Sequence, residues 1–250
     1  MICPVCQGKS EYLGVVDFGK CCNPELSTVT GYPIYYAACK ECAFCWAADM
    51  YSWPPHRYQK EIYNSDYPKY DPESVNDRPI RGADDLHKIF KDHIHLFNHL
   101  DYGSGPGVMS EILSDYGWNT CAYDPFFNDE YPKGQFDLIT LIEVIEHHPN
   151  PHKLMAELVS LLKPGGIILF STMHSDNLLF WNKQLDWWYL SPRNGHVSLY
   201  SSLSLNKLAD AHGMKYGYFD NTSHVFFFED DLPDWGKHLL KIDGEGVNNE

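Results

Sequence analysis

Basic charge, long apolar runs and, beyond residue 45, cysteine are all scarce in this chain of 250 residues. Lys and Arg number 19 against 34 Asp and Glu, giving a formal net charge of −15. Nucleic-acid backbones are held by Lys and Arg that neutralise phosphates, so no nucleic-acid partner is expected and a small molecule is. The acidity itself serves ordinary solubility. No stretch approaches the roughly 18–20 apolar residues of a membrane helix, so no membrane partner is expected. The start, Met1-Ile2-Cys3-Pro4, has neither the basic region nor the apolar region of a secretory signal. A cytoplasmic location follows as the expectation. Only Cys121 lies beyond residue 45; seven of the eight cysteines fall before it. In a reducing compartment they are not expected to be disulfides, and the clustering needs another explanation.

What remains suffices for one substantial core and a small appendage. A hydrophobic fraction of 44% with 15% aromatics belongs to a folded chain. Residues 1–50 read as short strands and turns around Cys pairs. Residues 51–85 form a connecting segment dense in Tyr, Trp and Pro, whose prolines prevent long regular elements. A helix is expected from Asp84 to about Ile94. From about His99 strands and helices alternate, with strands at Leu100–Tyr102, Thr120–Tyr123, Phe136–Ile142 and Ile167–Phe170. Two more strands are expected near 214–219 and 224–228. That order means an α/β fold with a mostly parallel, Rossmann-like sheet over residues 86–229. Residues 230–250 read as an acidic, loosely held tail.

Leu100-Asp101-Tyr102 runs into Gly103-Ser104-Gly105-Pro106-Gly107 and then a helix. Strand, glycine turn and helix together bring backbone close to a nucleotide-type ligand. A dinucleotide fingerprint wants Gly where this chain has Val108. Asp101 would also sit poorly beside a pyrophosphate. It suits a ligand bearing an ammonium and a sulfonium, and S-adenosylmethionine (SAM) carries both. Asp124, at the end of the next strand, is placed to accept hydrogen bonds from ribose hydroxyls.

Cys3-Pro-Val-Cys6 and Cys39-Lys-Glu-Cys42 are two C-x2-C knuckles. Each presents two thiolates from a tight turn, and two such turns complete a tetrahedral structural zinc site. Cys45 offers a competing pair with Cys42, and Cys21 and Cys22 lie between, so four ligands are chosen from seven candidates.

The 101–107 loop resembles the first motif of class I SAM-dependent methyltransferases. Phe136 to His147 is similar to their fourth-strand motif, and Leu161-Leu162-Lys163-Pro164-Gly165-Gly166 to the turn before their fifth strand. The resemblance implies a seven-stranded sheet with one antiparallel strand and SAM as cofactor. By it Asp101, Gly103 and Gly105 hold the methionine end, with Ser104 in the same loop. Asp124 holds the ribose, Pro125 and Phe126 follow it, and Glu143 lies on the loop beside the cofactor. Only about a dozen residues separate Asp124 from Phe136, where the family places a helix, a strand and an adenine-contacting acid. Phe126, Phe127, Asn128 and Asp129 are the candidates to replace them.

The first 45 residues resemble the zinc-binding domain of sugar C-methyltransferases, through Val15-Val16-Asp17-Phe18-Gly19, Tyr32-Pro33-Ile34 and the second knuckle. That resemblance implies a nucleotide-linked sugar or glycan as acceptor. Those enzymes carry a Glu-His pair where this chain has Gly195-His196; the missing Glu counts against carbon-acid chemistry and leaves O- or N-methylation open, with the accepting atom unresolved. His196 is the candidate general base, and His147 a second catalytic or orienting candidate. Two other functions compete: an NAD-linked oxidoreductase, and a non-catalytic zinc or partner-binding protein on a degenerate methyltransferase fold.

Overall fold

A computed structural model describes residues 1–128, 130–176 and 184–240, the side chains of His238 and Leu240 excepted. Its strands are β1 (Ser10–Asp17), β2 (Pro33–Cys39), β3 (Cys45–Ala47), β4 (His99–Tyr102), β5 (Thr120–Tyr123), β6 (Phe136–Ile142), β7 (Leu162–Ser171), β8 (Ser198–Leu199), β9 (Lys215–Tyr218) and β10 (Ser223–Phe227). Its helices are α1 (Pro55–Glu61), α2 (Tyr67–Tyr70), α3 (Asp77–Phe90), α4 (Val108–Asp115), α5 (Pro151–Leu161), α6 (Ser202–Asp210) and α7 (Asp234–Leu240). Contacts divide the chain into two units. The first comprises Met1–Asn76, Ile145–Leu154 and Thr172–Leu208, and the second comprises Asp77–Val144, Met155–Ser171 and the chain from Ala209.

In the second unit the sheet runs β5-β4-β6-β7-β10-β9. β4, β5, β6 and β7 pair in parallel, while β10 is antiparallel to both its neighbours. Leu138 to Leu141 on β6 are all buried, as expected of a strand covered on both faces. The sheet is Rossmann-like, as the motifs imply, with six strands among the described residues rather than seven. The missing strand would follow Asp124. There the chain turns straight back: Asn128 N donates to Asp124 O at 2.8 Å, and Asp124 N to Asn128 O at 3.2 Å. A parallel strand needs a crossover of a dozen or more residues, and this chain does not have them to spare. Asp129 lies outside the described residues.

Two further expectations change. The helix assigned to Asp84 begins at Asp77. Pro79 sits in its first turn, where a missing N–H has no helical partner to lose, so this proline does not act as a stop. The tail assigned to 230–250 carries α7, whose buried Trp235 joins Phe90 and Phe97 at ring distances of 5.9 and 5.2 Å. These rings pack with Leu113, Trp118 and Val225 in one core.

The first unit holds an antiparallel sheet, β1-β2-β3-β8. Its last strand comes from residues 198–199, which pair with Trp46 and Cys45. The Cys-rich segment is thus completed by chain drawn from far along the sequence. Phe44 meets Tyr200 at 4.9 Å between ring centres, and the Tyr36 hydroxyl donates to His196 O at 2.9 Å. Aromatic rings with a polar end can fill such a core while each hydroxyl finds a partner.

Candidate functional site

The second unit contains the glycine loop between β4 and α4. Gly103 has φ +79°, and a Cβ there would stand 2.5 Å from Val144 Cγ2. Only glycine fits. Gly105 also has positive φ, but a Cβ there would meet nothing within 4 Å, so its backbone faces open space that a ligand can enter. Gly103 and Ser104 donate their N–H groups to Tyr123 O, and Gly105 N donates to Asp124 Oδ2 at 3.0 Å. Phe126 N donates to Asp124 Oδ1 at 2.8 Å. The loop is thereby locked to the end of β5. Pro125 is exposed and Phe126 half-buried.

Asp101 is 2% exposed and accepts a hydrogen bond from the Ser110 hydroxyl at 3.1 Å. Burial pushes its carboxyl up to about 7, and the like charge of Asp124 adds to that. Burial raises Asp124 as well. Two buried carboxyls with no offsetting cation among the described residues suit a ligand that brings positive charge and hydroxyl donors. The ammonium, sulfonium and ribose of SAM meet that description, so the residues present fit the cofactor. Glu143 follows directly after β6 with φ +54°, a conformation unfavourable to a non-glycine residue. Its N–H donates to Ser171 Oγ, and the Ser171 hydroxyl returns a bond to Glu143 Oε1, each at 2.8 Å.

The first unit gathers Glu146, His147 and His196, each offering one ligand atom within 4.8 Å of the others. His196 is buried, and its Nδ1 lies 2.7 Å from Tyr189 O. His147 Nδ1 lies 3.2 Å from Gly195 O. A carbonyl oxygen only accepts, so Nδ1 carries a proton in both rings, and in its neutral form each ring has its lone pair at Nε2. The Tyr189 hydroxyl donates to Glu146 Oε1 at 2.8 Å, and His147 Nε2 stands 3.7 Å from the same oxygen. Two lone-pair nitrogens beside a buried carboxylate can accept a proton from an acceptor group. They could equally serve as ligands to a divalent ion. Gly195 answers a question raised by the sequence. With φ +87°, a Cβ there would meet Tyr63 Oη at 2.9 Å and His147 Nδ1 at 3.1 Å. A glutamate at that position would be strained and crowded.

The four knuckle cysteines also come together in this unit. Cys3 and Cys42 have Sγ atoms 3.7 Å apart, and Cys6 and Cys39 have theirs 3.5 Å apart. Zinc–sulfur bonds of about 2.3 Å in a tetrahedron place sulfurs about 3.8 Å apart, so the spacing suits zinc and is too long for a disulfide. The two knuckles repeat one geometry: Gln7 N donates to Cys3 O, Ala43 N to Cys39 O, and Gln7 and Ala43 both have positive φ. Cys21, Cys22 and Cys45 stand outside the group.

A family model for a methyltransferase domain matches residues 60–216, more than half of the chain. The chain belongs to this methyltransferase domain family. Among curated relatives, the ubiquinone biosynthesis O-methyltransferase of Shewanella pealeana is 28% identical over 102 residues, covering 30% of this chain and 43% of that protein. The enzyme of the same name from Thiobacillus denitrificans is 44% identical over 98 residues, covering 38% and 35%. The chain thus spans about two fifths or less of these relatives. Among solved structures, the Burkholderia thailandensis 1,6-didemethyltoxoflavin-N1-methyltransferase, with S-adenosylhomocysteine bound, is similar with a TM-score of 0.49 and 15% identity, over 70% of this chain and 89% of that one.

Within this methyltransferase domain, sequence reasoning passed over Glu146 as a member of the histidine cluster, although it adjoins His147. It also missed Ser110 as the partner of Asp101, a hydroxyl facing back from the first turns of α4. Arg193 went unremarked too. Its signal was an arginine in the run Ser191 to Ser201, whose other side chains are apolar, small or neutral.

Proposed function

We propose that this chain is a SAM-dependent methyltransferase with a small-molecule acceptor and a structural zinc at Cys3, Cys6, Cys39 and Cys42. The observation that carries the reading is Asp101, buried with no cation partner among the described residues, beside an open glycine loop that Asp124 holds in place. SAM when bound supplies an electrophilic methyl group on a sulfonium. Asp101 receives the positively charged end, Asp124 the ribose hydroxyls, and the Gly103–Gly105 backbone allows close approach. Pro125 and Phe126 take the adenine side. Glu143 is assigned to the cofactor loop.

His196 is the base that removes the acceptor proton from its Nε2 side, with Nδ1 fixed on Tyr189 O. His147 orients or shares that role. Glu146 is the buried carboxylate beside the two rings. O-methylation is the favoured form, supported by the names of the curated relatives. A nucleotide-linked sugar is the acceptor to try first, on the resemblance of the Cys-rich segment to sugar C-methyltransferases. The absence of a glutamate at 195 supports oxygen over carbon as the accepting atom. Among the described residues no helix is long and apolar enough to cross a membrane.

Calorimetry with S-adenosylhomocysteine tests the reading directly. Micromolar binding that Asp101→Asn weakens is expected; binding of NADH with none of S-adenosylhomocysteine would overturn it in favour of an oxidoreductase. Metal analysis of the purified chain tests the zinc site, with one ion per chain expected.

A further inference from the structure

Arg193 belongs to a short turn, Pro192–Asn194, closed by Gly195 in the left-handed region. It is 9% exposed, and its Nη1 is fully buried with no hydrogen-bond partner among the described residues. One face of the guanidinium lies on Tyr70, 3.7 Å from the ring centre. Asn194 Oδ1 accepts from Cys22 N and from the Ser191 hydroxyl, and Asn194 Nδ2 donates to Tyr70 O. Lys20, whose carbonyl accepts Arg193 N at 3.1 Å, gives its ammonium to Trp187 O and Leu190 O. The acids of this part of the unit are engaged as well: Asp66 with Lys69 at 2.5 Å, and Asp71 with the Tyr67 hydroxyl at 3.4 Å.

A guanidinium cannot shed its charge by losing a proton. Buried and unpaired, it is among the least favourable groups a protein can hold, and aromatic stacking offsets that only in part. Its donors form a planar fork that matches two oxygens of a carboxylate or a phosphate. We propose that Arg193, braced on Tyr70, receives an anionic oxygen group of the methyl acceptor. This selects acceptors that carry a carboxylate or a phosphate and rests on the methyl-transfer reading above. The tied-down ammonium of Lys20 adds positive charge to the same turn and strengthens the preference for an anion.

Thermal-shift titrations of the full chain at constant ionic strength test this with three probes: inorganic phosphate, benzoate and neutral benzamide. The unaltered protein should be stabilised by phosphate or by benzoate and not by benzamide, and the better anion identifies the source. Arg193→Met keeps the stem and its packing on Tyr70 but has no donors; it should weaken the anion by at least about tenfold. If that variant fails to fold, Arg193→Lys serves instead, since a point charge on a flexible stem lacks the fork and should lose most of the preference. An unaltered protein indifferent to both anions, or a response unchanged by the variant, overturns the assignment. Calorimetry with S-adenosylhomocysteine on the same samples separates the two ideas. Failure of the unaltered protein to bind it sinks the methyl-transfer reading, whereas intact binding with an indifferent Arg193 sinks only the anion site.

Discussion

The two units build their sites in opposite ways. In the second, Asp101 to Asp124 is one strand-turn-helix-strand unit, and the loop is held by hydrogen bonds between neighbours in that short span. In the first, the cysteine group joins residues 3–6 to 39–42, and the histidine group joins 146–147 to 189 and 196. A site made of consecutive residues is fixed by local geometry. A site made of distant segments exists only once the whole unit has folded, so it should be the more fragile of the two.

The largest contrast should come from metal. Removing zinc with a chelator, or Cys39→Ser, should unfold the Cys-rich sheet with a loss of several kcal/mol. Metal content per chain and circular dichroism check it; a zinc-free protein with an unchanged melting curve would break the comparison. Next comes His196→Ala, expected to lower kcat by about 10²–10⁴. S-adenosylhomocysteine affinity should stay nearly unchanged, because the residues proposed to hold the cofactor belong to the other unit.

Asp101→Asn should weaken the cofactor by about 10–100-fold through loss of a buried charge-assisted bond. The same residue sets a pH dependence. Its carboxyl is raised from 3.8 to about 7 by burial, so the folded protein holds a proton that the unfolded chain has released. The stability of the cofactor-free protein should therefore be fullest below about pH 4 and fall as pH rises through about 7. A positively charged ligand favours the ionised form, so cofactor affinity should rise between about pH 6 and 8. Calorimetry at a series of pH values on the unaltered protein and on Asp101→Asn checks both slopes, which the variant should flatten.

The smallest expected effect compares two glycines. Gly195→Ala meets Tyr63 and His147 in a left-handed conformation and should destabilise by about 1–3 kcal/mol. Gly105→Ala, with open space beside it, should cost about 1 kcal/mol of stability yet impair cofactor binding more than Gly195→Ala does. Thermal unfolding and calorimetry on the pair decide between local strain and ligand approach.

Legibility followed the same division. The strand at 136–142 could be read because a parallel strand covered on both faces appears as a nearly continuous apolar run. The shortfall after Asp124 was visible as a count of residues. By contrast, α3 began seven residues before its expected start, since a proline in a first turn looks like a breaker unless the helix around it is known. Trp235 sits in an acidic stretch, and nothing local says that Phe90 and Phe97 will receive it.

By itself, then, the sequence determined the glycine loop, its two carboxylates and the paired cysteine knuckles, because each depends on residue types at short, fixed spacing. Tertiary structure alone decided which four of the seven cysteines meet, and that residues 198–199 complete the Cys-rich sheet. It also decided that Glu146 joins the two histidines, and that Arg193 is buried on Tyr70 with an unpaired Nη1. Those are contacts between segments far apart in the chain. Their reason is packing, which short spacing does not encode.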